Sequence, residues 1–226
     1  MTPIAGVPTV WSGCVGAFVV GFDLDMTLVD SRPGILDTLA ALEEETGVAV
    51  SGPAMLDALL RRNLDLEFAE RFPPTRAREL ADRFRQLYAE LGVPGTFLLP
   101  GADRAVDAVH ESGGKVVVIT AKYEPNARRC LDHVGLRVGH EVDGVDGWRY
   151  GPQKADAIVE HGVAAYVGDT TGDVRAALAA GAHSVAVPTG PHPPEELTAA
   201  GAREVLSSLL DFPAWLALWL GSRAIA

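Results

Sequence analysis

The stretch Ala17-Phe18-Val19-Val20-Gly21-Phe22, followed by Asp23-Leu24-Asp25-Met26-Thr27, decides the fold. Its first six residues are apolar and predict a buried β-strand, with two acids at the strand's exit. Open α/β sheets bind ligands at the carboxyl ends of their parallel strands. Two carboxylates this close raise one pKa or recruit a cation, and oxygen ligands suit Mg²⁺. We therefore predict that Asp23 and Asp25 form a metal-supported catalytic pair; an acidic turn in which Thr27 caps a helix is the alternative.

The composition predicts a compact globular protein. The chain has 226 residues, 48% of them hydrophobic, which is enough for one large domain or for a core with an insertion. A net charge of −11 leaves no basic stripe for a phosphate backbone, so we expect no nucleic acid partner. Lysine is scarce beside sixteen arginines, so a lysine near a predicted site is notable. The lysines are Lys115, Lys122 and Lys154.

Cysteine usage and hydropathy predict a cytoplasmic protein. Cys14 and Cys130 form neither a CxxC motif nor an even-numbered framework, so no disulfide scaffold or zinc cluster is expected. Residues 1–22 carry no charge, but they lack a basic start and are interrupted by prolines and glycines. We therefore expect neither a signal peptide nor a membrane segment there. The apolar run 212–220 is too short to span a bilayer, and we expect it to pack on the core.

The later chain alternates apolar runs with helical patterns. Runs recur at 115–120, 164–168 and 184–187, and glycines at 135 and 181 are placed to end the helices between them. This alternation predicts an α/β fold with a doubly wound parallel sheet, which is a Rossmann-like core.

A helical segment is predicted to interrupt that core. Asp23 and Thr120 are 97 positions apart, whereas a βαβ unit takes roughly thirty residues. Helical apolar spacing covers 34–46, 53–72 and 75–91. We predict a core domain of residues 1–32 and 96–226 and a small helical cap domain of residues 33–95. The stems of the cap, Arg32-Pro33-Gly34 and 94–101, are expected to act as hinges over the strand ends.

Three later segments add polar groups at predicted strand exits or helix starts. Thr120 ends the apolar run 116–119, and Lys154 opens a predicted helix over 154–159. The segment Gly168-Asp169-Thr170-Thr171-Gly172-Asp173 offers two more carboxylates after a strand. Taken singly, each has an ordinary alternative, namely a solvated lysine or acids at a helix N-terminus.

Taken in order, the strand-end DxDxT, the strand-end Thr, the later Lys and the strand-end GDxxxD resemble the haloacid dehalogenase superfamily. Residues 23–31, followed by a helical cap, resemble its phosphoglycolate phosphatase-like branch, and the resemblance covers roughly Ala17 to Leu210. The chain departs from the pattern at Met26, Ala121 and Ala155, where Gly, Asn and Pro are usual. These departures remove no reacting group, although Ala121 lacks a side chain that could have contacted the substrate.

The resemblance implies hydrolysis of a small phosphorylated metabolite through an aspartyl-phosphate. Asp23 would be the nucleophile, and Asp25 would protonate the leaving alkoxide and later deprotonate water. Thr120 and Lys154 would donate to the phosphoryl oxygens.

The resemblance also implies Mg²⁺ as the cofactor. The carboxylates of Asp23 and Asp169 and the backbone carbonyl of Asp25 would hold the ion, and Asp173 would help directly or through water. Four residues are candidates for substrate binding, although solvated side chains are the alternative for the charged ones. These residues are Arg61, Arg62, Ala121 and Lys122.

The residues disfavour some of the other functions found in the superfamily and leave others open. The acid at Asp25 disfavours a dehalogenase, and the absence of lysine between Arg32 and Gly114 disfavours a phosphonatase. A sugar-phosphate mutase and a non-catalytic binding module both stay open. We expect no membrane partner, and a monomer or a homodimer.

Overall fold

The computed structural model describes residues 18–223. The expectations about Cys14 and about residues 1–17 fall outside this range. Cys130 is a buried free thiol. Among the described residues, the helices are all too short or too polar to cross a membrane.

A six-stranded parallel sheet surrounds the first apolar run. The strands of the described range are β1 Val19–Phe22, β2 Val29–Asp30, β3 Phe97–Leu98, β4 Lys115–Ile119, β5 Gly144–Asp146, β6 Val163–Gly168, β7 His183–Ala186 and β8 Glu204–Val205. The sheet order is β5-β4-β1-β6-β7-β8, with β4 and β6 parallel to β1 on its two sides. The predicted α/β fold is confirmed. The edge strands β5 and β8 were not predicted, because they are too short to produce a hydrophobic period.

Helices cover both faces of the sheet. They are α1 Arg32–Thr46, α2 Pro53–Arg61, α3 Leu64–Arg71, α4 Pro74–Leu87, α5 Ala102–Glu111, α6 Glu124–His133, α7 Pro152–Glu160, α8 Thr171–Ala179, α9 Pro194–Ala199 and α10 Phe212–Arg223. Because successive side chains of a strand point to opposite faces, Val116 and Val118 join one apolar core and Val117 and Ile119 join another. The sheet is therefore buried on both sides, as a parallel sheet requires.

Four helices and a π-helical turn at Tyr88–Gly92 lie between β2 and β3, and we call residues 32–92 the helical insertion. The predicted continuous helix over 53–72 is wrong, because the chain breaks between α2 and α3. Arg62 is extended, with φ of −148°, and the Asn63 side chain accepts a hydrogen bond from the Asp65 N–H at 2.9 Å. Asn63 thus caps a new helix, as asparagine commonly does. The domain boundaries at 33 and 95 stay a prediction.

The two stems of the helical insertion pack against each other, and their role as hinges stays a prediction. Arg32–Gly34 form the first turn of α1, and the second stem contains β3, which pairs antiparallel with β2. The Gly34 N–H donates to the Gly95 carbonyl at 3.1 Å, and a Cβ on Gly34 would lie 2.1 Å from the Gly92 carbonyl oxygen. Only glycine fits this crossing, so the stems meet in a packed junction.

The C-terminal apolar run forms α10, which packs against α5. Trp215 and Trp219 stack with ring centroids 5.5 Å apart, and both are buried. The run therefore belongs to the core, as predicted. Leu218 lies on the opposite side of the helix and is 76% exposed.

Candidate active site

Asp23 follows β1 directly and is buried at the centre of the sheet's carboxyl edge. Its backbone N–H donates to the Val167 carbonyl at 2.9 Å, so β6 fixes its position. A tight loop comes next, in which the Leu24 carbonyl accepts from the backbone N–H of Leu28 at 3.0 Å. Met26 has φ of 59° in this loop. That left-handed conformation explains why glycine suits the position, and a buried Met side chain occupies it here.

Three carboxylates meet at this edge. Ligand atoms of Asp23, Asp169 and Asp173 all lie within 4.8 Å of one another, and all three residues are buried. Among the described residues this is the one group of His, Cys, Asp or Glu side chains close enough to share a metal ion. Two glycines leave room for it: a Cβ on Gly190 would lie 1.7 Å from Asp169 Oδ2, and one on Gly168 would lie 2.3 Å from Asp173 Cβ.

Lys154 reaches into the same cluster from the first turn of α7, two residues after that helix begins. Its Nζ donates to Asp173 Oδ1 at 2.6 Å and lies 3.2 Å from Asp23 Oδ1. Burial alone would lower the pKa of Lys154, but the charges of Asp173 and Asp23 raise it well above its ordinary value. Lys154 is therefore a buried cation, which rules out the solvated-lysine alternative.

One ammonium does not balance three buried carboxylates. Burial raises the pKa of Asp23 from 3.8 to about 6, against the opposing charge of Lys154. Burial also raises the pKa of Asp169 well above its ordinary value, and the charges of Asp173 and Asp23 add to the effect. Lys154 Nζ lies close to Asp23 Oδ1, but the two atoms do not form a hydrogen bond. This buried carboxylate oxygen therefore has no hydrogen-bond partner. An all-oxygen donor set with an unpartnered oxygen fits a hard divalent cation such as Mg²⁺.

Asp25 is not part of the three-carboxylate cluster and has a cation partner of its own. Its Oδ1 accepts from Lys122 Nζ at 2.7 Å, and the ammonium lies 4.2 Å from the centroid of the Tyr88 ring. Burial alone would lower the pKa of Lys122, but the charge of Asp25 and the neighbouring Tyr88 raise it well above its ordinary value. Asp25 and Asp23 thus have different surroundings, and the half-buried Lys122 lies beside the candidate acid.

Thr27 and Thr120 contribute two buried hydroxyls. Thr27 Oγ1 donates to Asp169 Oδ1 at 2.9 Å, so the alternative in which Thr27 caps a helix is wrong. Thr120 Oγ1 accepts from the Lys122 backbone N–H at 3.3 Å and lines the pocket above the acids. The carbonyl of Ala121 accepts from Asn63 Nδ2 at 3.3 Å, which ties α3 to the loop after β4.

A pocket of about 200 Å³ opens above the acids, between the sheet edge and the helical insertion. Asp23, Asp25 and Lys154 line its base, and Arg61 and Arg62 line the insertion side. Arg61 also pairs with Asp57 at 3.0 Å, and Arg62 pairs with Glu70 at 2.5 Å. The fold therefore brings every residue that the sequence analysis proposed for the site to the acidic cluster or to the loops and pocket around it.

One wall of the pocket is aromatic and cationic and was not predicted from the sequence. Arg85 of α4 lies 5.0 Å from the Trp148 ring and 5.8 Å from the Tyr123 ring, and all three residues line the pocket. They come from three separate segments and share no motif spacing, so no local signal could have joined them. The capping preference of Asn63 is the one local signal that was available.

The fold and the acidic cluster define a hydrolase class that the comparisons with known proteins identify. The haloacid dehalogenase-like hydrolase family matches residues 20–178. A phosphoglycolate phosphatase of Salmonella typhi is 30% identical over 205 residues, which is 76% of this chain and 81% of the relative. A phosphoglycolate phosphatase of Rhodospirillum rubrum is 30% identical over 86% of this chain and 89% of its own length. The crystal structure of a predicted phosphatase from Clostridium acetobutylicum superposes with a TM-score of 0.77 at 22% identity, over 89% of this chain and 99% of that one.

The chain belongs to the haloacid dehalogenase-like hydrolase family. The predicted phosphoglycolate phosphatase-like branch and the predicted enzyme class, a phosphoric monoester hydrolase, are confirmed.

Proposed function

We propose that this chain is a Mg²⁺-dependent phosphatase that hydrolyses a small-molecule phosphate monoester through an aspartyl-phosphate on Asp23. The observation that carries the proposal is the buried cluster of Asp23, Asp169 and Asp173 with Lys154 among them, at the base of a small pocket. The two phosphoglycolate phosphatases that match most of the chain support the same reaction class.

Mg²⁺ would be held by the carboxylates of Asp23 and Asp169 and the backbone carbonyl of Asp25, with Asp173 helping directly or through water. The bound cation supplies positive charge that lets an anionic ester approach a carboxylate nucleophile. Oxygen donors favour Mg²⁺ over the softer metals that prefer thiolate or imidazole ligands.

In the first step, a carboxylate oxygen of Asp23 attacks phosphorus. The new bond forms as the bond from phosphorus to the ester oxygen breaks, and Asp25 gives its proton to the departing alkoxide. Thr120 and Lys154 donate hydrogen bonds to the phosphoryl oxygens, where negative charge must be stabilised.

In the second step, water attacks the phosphorus of the aspartyl-phosphate. Asp25, now ionised, accepts a proton from that water, the bond between phosphorus and the Asp23 oxygen breaks, and inorganic phosphate leaves. Lys122 would hold the Asp25 side chain in place through its ion pair at 2.7 Å. The helical insertion would act as a cap that limits the entry of bulk water.

Substitution of the nucleophile tests the mechanism. Asp23→Asn removes the attacking carboxylate oxygen, so phosphate release from a panel of phosphorylated metabolites should fall about a thousandfold or more. Asp107→Asn, on the exposed side of α5, is the matched control and should keep wild-type activity. EDTA should stop hydrolysis, and Mg²⁺ should restore it. Near-wild-type phosphate release by Asp23→Asn at saturating Mg²⁺ would refute the nucleophile assignment.

We also propose the cytoplasm as the compartment, because the buried thiol of Cys130 suits a reducing environment.

A further inference from the structure

The pocket above the acidic cluster has largely apolar and aromatic walls. Both the helical insertion and the core loops contribute to them. Six of these side chains are Ile35, Leu60, Leu64, Phe84, Tyr123 and Trp148. A surface of this kind gains free energy by covering apolar groups of a ligand.

The cations that line the pocket already have carboxylate partners. Their ion pairs are Arg61 with Asp57 at 3.0 Å, Arg62 with Glu70 at 2.5 Å, Arg85 with Asp82 at 2.9 Å, Lys122 with Asp25 at 2.7 Å and Lys154 with Asp173 at 2.6 Å. Lys154 belongs to the proposed phosphoryl site. A second negative charge on the substrate would have to compete with these carboxylates for the remaining cations. The pocket therefore stabilises a leaving group that carries its own anion less than its apolar walls stabilise an uncharged apolar one.

Trp148 lines the pocket and has an unusual backbone conformation. Its φ is 61°, a conformation that bulky residues rarely adopt and that persists only where the surroundings hold it. The backbone N–H of Trp148 donates to the Lys122 backbone carbonyl at 2.9 Å. The indole ring lies 5.2 Å from the Tyr123 ring and 5.0 Å from the Arg85 guanidinium. The loop after β5 thus sets an aromatic ring on the pocket next to the two motif residues Ala121 and Lys122.

Resting on the proposed phosphatase function, we infer that the preferred substrate is the phosphate monoester of an uncharged alcohol with an apolar or aromatic group. Esters whose leaving group carries a carboxylate, as in 2-phosphoglycolate, are poor substrates. The pocket volume of about 200 Å³ restricts that group to a small one. The phosphoglycolate phosphatases that resemble this chain would then differ from it in the walls of this pocket.

Three esters of primary alcohols separate the possibilities: ethyl phosphate, 2-phenylethyl phosphate and 2-phosphoglycolate. We expect kcat/KM for 2-phenylethyl phosphate to exceed that for ethyl phosphate by about tenfold, because the ring is buried, with 2-phosphoglycolate the poorest of the three. Calorimetry with the Asp23→Asn variant and Mg²⁺ should give the same order of affinity. Tighter binding or faster turnover of 2-phosphoglycolate than of 2-phenylethyl phosphate would overturn the inference.

The calorimetry keeps this inference separate from the proposed function. If the wild-type chain hydrolyses neither these esters nor any of the panel of phosphorylated metabolites, the phosphatase proposal fails, while the order of affinities still decides what the pocket prefers. Equal affinity for all three, or no binding of any, would also overturn the inference.

Trp148→Ala tests the wall itself. We expect the ratio of kcat/KM for 2-phenylethyl phosphate to that for ethyl phosphate to fall about fivefold, because the ring loses its apolar contact. Leu218→Ala, at an exposed position on α10 away from the pocket, is the control and should leave the ratio unchanged. An unchanged ratio in Trp148→Ala would remove Trp148 from the specificity pocket.

Discussion

At the residue scale, Asp23 is a functional carboxylate that the fold holds at a cost in stability. It is 8% exposed, one of its oxygens has no hydrogen-bond partner, and its charge repels those of Asp173 and Asp25. A buried carboxylate of this kind is destabilising unless a cation compensates it. Sites built for chemistry commonly store such strain, which is released when the ligand binds.

The raised pKa of Asp23 predicts how the stability of the metal-free protein depends on pH. Burial raises this pKa to about 6 in the folded chain, whereas the carboxyl titrates near 3.8 when unfolded. The folded state therefore holds its proton more tightly, and the free energy of unfolding falls as pH rises from about 4 to about 6. Asp23→Asn should weaken this fall and, in EDTA at pH 7, raise the free energy of unfolding by about 1–2 kcal/mol.

The free energy of unfolding can be measured by urea denaturation across that pH range. The proteins compared are the wild type, Asp23→Asn and Asp107→Asn. Asp107 is exposed, so its variant should follow the wild-type curve. A destabilised Asp23→Asn variant at pH 7 in EDTA would contradict the prediction and would mean that the carboxylate is compensated without a metal.

At the element scale, the Asn63 side chain makes two structural hydrogen bonds at the break between α2 and α3. Its side-chain oxygen accepts from the Asp65 N–H, and its side-chain amide donates to the Ala121 carbonyl of the core. Apolar periodicity over 53–72 continues through this break, so the sequence predicted one helix where the structure has two. Side-chain periodicity does not reveal a helix N-cap, because the cap depends on a hydrogen bond from a backbone N–H.

Two substitutions of Asn63 distinguish the contributions of these two hydrogen bonds to stability. Asn63→Ala removes both hydrogen bonds and should lower the free energy of unfolding by about 1 kcal/mol or more, because α3 loses its N-cap. Asn63→Asp keeps the cap acceptor and loses only the donor to Ala121, so its loss should be clearly smaller. Chemical denaturation of both variants decides; equal losses would assign the stability to the bridge with Ala121 instead.

At the scale of the whole molecule, the helical insertion is joined to the core through a crossing of glycines. Gly34 contacts Gly95 by a backbone hydrogen bond, and its α-carbon faces the Gly92 carbonyl. Helix propensity alone recommends alanine at Gly34, which lies inside α1. The close approach of a second segment reverses that preference.

Gly34→Ala should therefore destabilise the protein. The added Cβ would lie 2.1 Å from a backbone oxygen that cannot move freely, so we expect a loss of about 2 kcal/mol or more in the free energy of unfolding. Gly221→Ala is the matched control, because nothing lies within 4 Å of a Cβ at that helical position. It should gain about 0.5–1 kcal/mol. A stable Gly34→Ala variant would mean that the stems separate readily.

The amino-acid sequence was enough to predict the central strands of the sheet and the order of its motifs. Apolar strands followed at once by Asp23, Thr120 and Asp169 predict that these residues share one edge, because parallel strands all end on the same side. Lys154 was predicted from its place in the motif order, and its burial between Asp23 and Asp173 followed from the packing of α7.

The walls of the pocket, the partner of Asp25 and the glycine crossing became apparent only in the folded structure. These features join residues that are far apart in the chain, as with Lys122 and Asp25 or Arg85 and Trp148. No local period or spacing encodes such a contact, because it exists only once the strands, their loops and the helical insertion have packed together. Strand patterns report short-range physics, whereas the charge partners and the shape of the pocket result from long-range packing.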